Sequence, residues 1–485
     1  MPFHLSIPTT PAPDHRLPPK LEGLSRLAYN MYWSWHPEVR QLFARIDRRV
    51  WLNFRSPVAV LRAQRDWTSL LNDPDFMVQY ETVLRDFDHY MANGREHWFA
   101  RVHGDDLEGP VAYFCAEYGL QESLPIYSGG LGVLAGDHCK TASDMALPFV
   151  AVGLFYRRGY FRQNIDADGH QEHGYFNLQP ERLPLLRAVD PTGEPATVSV
   201  ELPGRTVYAA VWVAQVGRVP LLLLDTDVPE NDEADRPITH ILYVRGREMR
   251  LHQELILGVG GVRALRKLGV DPAVWHLNEG HSAFMLAEQA RELVLQGRGL
   301  DEALEQVRKR AVFTIHTPVP AGNERFDAGL VRELTAPEAE ASGMDIDRIL
   351  AMGLGADGDA SQFDMTAFAL RNTSHANGVS QLHGQVANET WTPIIDHPII
   401  GITNGVHPPT WIGRAMRPVY AEIGGDLDHQ ETETAEDRFW ERLDQVRDEQ
   451  LWGAHMKQKL ALREYARIRL RRQLARHGEA PDTLA

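Results

Sequence analysis

Cysteine is almost missing from this 485-residue chain: Cys115 and Cys139 are its only two. A disulfide-stapled framework and a ribbon of paired zinc cysteines are both excluded, because two thiols far apart in sequence can build neither. Long apolar runs are missing too. No stretch approaches the ~20 residues that a membrane span needs, and the polar opening segment, residues 1–16, has no apolar centre of the signal-peptide kind. A cytoplasmic, reducing location without a membrane partner is expected. Positive charge is in deficit, with 50 Lys and Arg against 66 Asp and Glu, a net −16. That balance disfavours binding to a phosphate backbone, and no nucleic-acid partner is expected. No HExxH, no glycine loop ending in Gly-Lys-Ser/Thr and no Gly-x-Ser-x-Gly elbow occurs, which disfavours a zincin, a Walker nucleotidase and a serine hydrolase. No metal site is expected, despite 21 histidines.

What is present is ordinary globular composition, 43% hydrophobic and 24% charged, at a length suited to several domains. Residues 1–20 are proline-rich and read as an extended lead-in. Residues 21–100 read as a helical region, with Leu24, Leu27, Ala28 and Met31 at helical spacing; Trp33 and Trp35 fit a core face or a sugar-stacking surface. Residues 101–430 change texture. Val111 to Cys115, a glycine turn, a helical stretch with Ala135, Cys139 and Ala142 on one face, and Phe149 to Phe155 form a βαβ pattern. Thr206 to Val213 and Val219 to Leu224 read as a hairpin around Gly217. Further alternation at Val274 to Leu277 and Ala311 to Ile315 predicts an α/β domain with a parallel-rich, Rossmann-like sheet. Residues 431–485 read as a charged helical segment in which Phe439, Leu443 and Val446 form an apolar stripe, and the basic run Arg463 to Arg476 a solvated face.

Ligands of such sheets bind beyond the carboxyl ends of the strands, so the loops after Cys115, Leu277, Ile315 and Ile402 are the candidate site. Ser128-Gly129-Gly130-Leu131-Gly132 lies between strand and helix, where backbone N–H groups and the helix dipole can hold an anion. Asn278, Glu279 and His281 cluster after one strand, His316 and Thr317 after another, and segments around His375 and Asn404 follow; such polar groups can bind sugar hydroxyls.

Together these segments resemble the α-glucan (glycogen, starch, maltodextrin) phosphorylases, particularly the bacterial type with an extra N-terminal helical region. The carrying residues are Ala116-Glu117-Tyr118-Gly119, Glu122 to Gly132, Gly159 to Gln163, Leu257 to Arg263, Trp33-Ser34-Trp35, and the His276, His316, His375 and Asn404 segments in that order. The resemblance implies a GT-B architecture of two Rossmann-like domains. It implies transfer of a terminal α-1,4-linked glucose to inorganic phosphate, giving glucose 1-phosphate with retention. Pyridoxal 5′-phosphate is the implied cofactor, acting through its phosphate. Site roles follow by the same route: Gly129 and Gly130 offer N–H groups to phosphates, the second also to the cofactor. His316 and Asn404 hydrogen-bond the 6-hydroxyl of the reacting glucose, Leu131 lines its pocket, and Asn278, Glu279, His281 and Thr317 lie nearby.

One element of that pattern is missing. The family's cofactor lysine ends a Ser-Gly-Met-Lys segment, whereas none of Lys20, Lys140, Lys267, Lys309, Lys457 and Lys459 follows one, and Ala341-Ser342-Gly343-Met344 runs into Asp345. The expectation is an N-terminal half, inactive alone, whose partner is a complementing C-terminal half or, in a whole enzyme, a second copy in a homodimer. Two other readings stand beside it. A glycogen or starch synthase-like transferase would use a nucleotide sugar, although Tyr127 and Ser128 occupy the place where a lysine usually precedes the glycines. A non-enzymatic glucan-binding or regulatory module would retain glucan without cleaving it.

Overall fold

The computed structural model of the chain describes residues 5–92, 98–104, 106–317, 323–423 and 441–478. Its strands are, in chain order, β1 (Val111–Phe114), β2 (Phe149–Leu154), β3 (Arg162–Ile165), β4 (Gln171–Gly174), β5 (Leu186–Arg187), β6 (Thr197–Leu202), β7 (Arg205–Val216), β8 (Val219–Asp225), β9 (Val274–Asn278), β10 (Ala311–Ile315), β11 (Arg325–Asp327), β12 (Gln362–Asp364), β13 (His375–Gly378) and β14 (Ile399–Gly401). Ten of them form one sheet. Within it β14, β13, β10, β9, β1, β2 and β8 are successive parallel neighbours. Beyond β8 the sheet turns antiparallel, with β7 on β8 and both β5 and β6 on β7. This is the expected α/β architecture with a parallel-rich, Rossmann-like sheet. β2 and β8 are near-continuous apolar runs, and every residue of both is buried, as strands covered on both faces require.

Two compact units make up the chain. One comprises Met1–Tyr160 with Phe176–Val406, the other Phe161–Tyr175 with His407–Ala485. In the first, the aromatic-rich helices before residue 93 share one hydrophobic core with the sheet. Trp33 and Trp35 are 0% exposed, so they belong to that core and offer no surface for sugar stacking. The hairpin turn at Gly217, where φ is +58°, provides the tie. Asn30 exchanges two hydrogen bonds with the Gly217 backbone, 2.9 Å each, and the Arg218 guanidinium lies 3.9 Å over the Tyr90 ring while donating to the Ser143 carbonyl. The second unit contains the β3–β4 hairpin and the helix Asp448–Arg476, whose side chains from Arg463 to Arg472 are exposed. Phe439 lies outside the described residues; Leu443 and Val446 precede the helix and are half-buried. No described helix is long and apolar enough to cross a membrane.

The helix Gly130–Asp144 is held against the loop before it by glycines. The Gly119 N–H donates to the Gly132 carbonyl at 2.6 Å, and a Cβ on Gly136 would sit 2.3 Å from the Gly119 carbonyl oxygen. No flexible side chain is there to give way. Gly136→Ala is therefore expected to destabilise the chain by about 2 kcal/mol through overpacking. Gly130→Ala, where a Cβ meets nothing within 4 Å, should change stability by less than about 1 kcal/mol. The two midpoints in urea unfolding check both.

Candidate functional site at the carboxyl end of the sheet

Parallel pairing in register brings the carboxyl ends of β1, β9, β10 and β13 side by side, and the predicted polar clusters emerge there. The Asn278 Oδ1 lies 2.7 Å from His316 Nε2. Glu279 bridges to the next strand end: its carboxylate accepts the His316 backbone N–H at 2.5 Å and the Thr317 hydroxyl at 2.8 Å. To do so Glu279 adopts φ +77°, a left-handed conformation that costs a non-glycine residue about 1–3 kcal/mol. Burial raises its carboxyl above the usual range, against the lowering effect of the bonds from His316 and Thr317.

His281 lies under the neighbouring strand end, where its Nε2 accepts the Ala116 N–H at 2.8 Å, so its proton sits on Nδ1. Burial, then Arg250 and His316, holds its pKa well below the ordinary value. His316 is pushed down to about 4 by burial, with His383 adding to the effect. His383 is a further histidine of this region, 8% exposed; its Nδ1 accepts the Val379 N–H at 3.1 Å. Asn404 follows β14, its backbone N–H bound to the Val379 carbonyl at 3.1 Å and its side chain exposed. His375 starts β13 instead of ending it, and so lies at the amino end of the parallel strands, away from these groups.

The glycine loop joins the same constellation through a residue whose role the sequence had left blank. Glu117 is 1% exposed, and its Oε2 accepts the N–H groups of Ser128 at 2.6 Å and Gly129 at 3.3 Å. Its Oε1 accepts the Tyr243 hydroxyl at 2.6 Å. The Gly129 N–H thus turns toward Glu117, while Gly130 and Leu131 open the helix, where an N–H has no carbonyl four residues back. Gly129 and Gly130 are exposed, with nothing near a would-be Cβ, and Leu131 is half-buried against the core. An anion can approach the backbone here. Behind Tyr243 stands Arg250, 5.7 Å from its ring and paired with Glu254 and Glu324, each at 3.2 Å. An acidic residue just past a strand end, eleven positions before a glycine turn, was the legible signal for Glu117; nothing local marks Tyr243 or Arg250.

Among the described residues, one cluster has the spacing of metal ligands, Asp166, Asp168 and His170 on the β3–β4 turn. Asp166 Oδ1 accepts the N–H groups of Asp168 and His170 at 3.0 and 2.8 Å, the bonds of a tight turn. Lys140 is 1% exposed, donates to the Leu120 carbonyl at 2.9 Å, and is pushed down to about 8 by burial.

Comparison with known proteins adds sequence relationships to this geometry. A family profile described as a protein of unknown function, DUF3417, matches residues 17–124. The chain is 41% identical over 473 residues to the maltodextrin phosphorylase of Thermococcus litoralis, covering 96% of this chain and 56% of that protein. It is 41% identical over 489 residues to the glycogen phosphorylase of Mycobacterium tuberculosis, covering 95% and 56%. With the glycogen phosphorylase of Aquifex aeolicus it shares 33% identity over 472 residues, 96% and 66%. The chain thus spans little more than half the length of the first of these relatives.

The buried histidines set a pH dependence. His138 and His316 are held near 4 and His276 near 3, chiefly by burial. Each takes up a proton in the unfolded chain below about 6.5 but not in the folded one until pH 3–4. Their contribution is complete above pH 6.5 and is lost as pH falls toward 4, with a slope of up to ~1.4 kcal/mol per pH unit for each histidine. His276→Gln should lower the proton uptake on unfolding near pH 5 by about one. Urea titrations across pH 4–7 measure it, and an unchanged slope would mean that His276 is charged in the folded chain.

Proposed function

By homology over 95–96% of its length the chain belongs to the α-glucan phosphorylase family, and from that premise we propose that it supplies the glycine loop and the sugar-reading wall of a phosphorylase active site. The reaction is the reversible transfer of a terminal α-1,4-linked glucose from a glucan to inorganic phosphate, giving glucose 1-phosphate. The observation that supports this reading is the run of buried and part-buried hydrogen bonds that links the glycine loop to His316, so that an exposed backbone suited to an anion and a neutral imidazole suited to a sugar hydroxyl share one frame.

In this reading the His316 ring and the Asn404 side chain hold the 6-hydroxyl of the reacting glucose. Leu131 shapes the pocket, and Asn278, Glu279, His281 and Thr317 fix the wall behind it. The open amides of Gly130 and Leu131 face phosphate. A neutral His316 suits a neutral sugar: an imidazole held near 4 stays uncharged at physiological pH and leaves the cationic character of the glycosyl transition state unopposed.

Pyridoxal 5′-phosphate is the cofactor in this proposal, and the residues here fit one side of it only. The exposed glycine backbone can approach its phosphate, but the buried Lys140, the one lysine on the glycine-loop helix, is bound to the Leu120 carbonyl and cannot reach an aldehyde. When bound, the cofactor supplies a phosphate that exchanges a proton with the substrate phosphate. We place its anchoring lysine outside these 485 residues.

The test is made in the complete gene product that carries this chain. Maltoheptaose plus inorganic phosphate should release glucose 1-phosphate, ADP-glucose should not elongate the glucan, and His316→Ala should lower kcat/KM roughly 10- to 100-fold. The 485-residue polypeptide alone should release none. Elongation from ADP-glucose would move the chain to the synthase reading, and glucan retention without turnover of the complete product would favour a binding module.

A further inference from the structure

We propose that Cys115 and Asn278 are positioning residues that lock His316 as a hydrogen-bond acceptor toward its ligand, so that the site demands a sugar hydroxyl able to donate at that point. The inference rests on the assignment of His316 to the 6-hydroxyl made above. The polarity is fixed from one end. The Cys115 thiol donates to the Glu117 backbone carbonyl at 3.2 Å, and a thiol has one hydrogen, so its sulfur can only accept from anything else. The Asn278 side chain meets that sulfur at 3.2 Å and must therefore present its NH₂ group there. Its oxygen is then turned toward His316, 2.7 Å from Nε2, and an amide oxygen can only accept. The proton of the neutral imidazole accordingly sits on Nε2.

What remains is Nδ1, a lone pair that makes no hydrogen bond among the described residues. His383 is set the other way: its Nδ1 is occupied by the Val379 N–H, so its proton is on Nε2, which is buried without a hydrogen-bond partner. One histidine of this wall is thus a fixed acceptor and another a fixed donor, each defined by a neighbour that titrates at no physiological pH.

A buried relay of this kind costs little while every member is satisfied and fails at its weakest link, the thiol. Cys115→Ser preserves it, since a hydroxyl also donates once and accepts. Cys115→Ala frees the Asn278 amide to rotate and offer its NH₂ group to His316, which must then carry its proton on Nδ1.

Selective ¹⁵N-histidine NMR of the holoenzyme, with His316→Gln to assign the signal, reads the tautomer directly. The expected result is Nε2–H in the wild type and in Cys115→Ser, and at least a partial shift to Nδ1–H in Cys115→Ala. A wild-type Nδ1–H tautomer overturns the proposal even if the alanine variant does not fold, and so does a tautomer indifferent to Cys115→Ala. Kinetics supply the second readout. In the synthesis direction, 6-deoxy- and 6-deoxy-6-fluoroglucose 1-phosphate should lose kcat/KM by the same factor, roughly 10- to 100-fold, because fluorine accepts but cannot donate. In Cys115→Ala the fluoro analogue should recover several-fold over the deoxy one. If neither analogue is impaired while the tautomers behave as expected, the relay stands and the assignment of His316 to the 6-hydroxyl fails.

Discussion

One run of hydrogen bonds, fully buried at its centre, governs this end of the molecule. It starts at the Ser128 and Gly129 amides on the Glu117 carboxylate, passes through the Glu117 carbonyl and the Cys115 thiol, and ends at Asn278 and His316. The links from Cys115 to Asn278 and from Asn278 to His316 join segments 163 and 38 residues apart, and at the two fully buried links a missing partner would cost about 1–3 kcal/mol. The loop cannot move without disturbing the imidazole. Parallel pairing of β1, β9 and β10 in register makes the line possible, since a slip of one residue would turn Asn278 to the other face of the sheet.

The site is organised at the expense of local comfort. Glu279 holds a backbone conformation that suits glycine, and its reward is a carboxylate that fixes both His316 and Thr317. His138, His276, His281 and His316 are all kept uncharged by burial. His276 is satisfied by Thr314, which in turn donates to Asn377, so three adjacent strands are cross-tied by neutral groups just below the site. A charged row there would repel itself and respond to pH; a neutral one keeps its geometry across the physiological range.

Much of this was legible in the residues, and the limits of legibility are physical. The apolar runs of β1, β2 and β8 and the turn at Gly217 announce themselves, because burial on both faces and a positive φ leave marks in composition. Asn278, Glu279, His316 and Thr317 were legible as polar residues at strand ends, where a parallel sheet has no structural use for them. Trp33 and Trp35 were not, because aromatics serve a core and a sugar platform equally well, and only their 0% exposure decides. The roles of Glu117, Cys115 and Tyr243 were hidden for another reason. Each acts through a partner more than a hundred residues away or through a backbone atom, and no spacing rule encodes either.

The charge pattern of the site also limits what this chain can do. A phosphate dianion needs cations, and a helix start offers the equivalent of about half a unit charge. Yet two arginines packed near these strand ends are already committed: Arg157 lies between Asp225 and Asp227, and Arg250 between Glu254 and Glu324. Glu117 and Glu279 add negative charge directly beside the glycine loop and His316. Such a wall can orient a neutral sugar and accept its hydroxyl protons, and its carboxylates favour positive charge developing on the sugar ring. It cannot by itself hold two phosphate groups. On the proposed reading this wall orients the sugar, and the charge of the phosphates would have to be met by cations other than these.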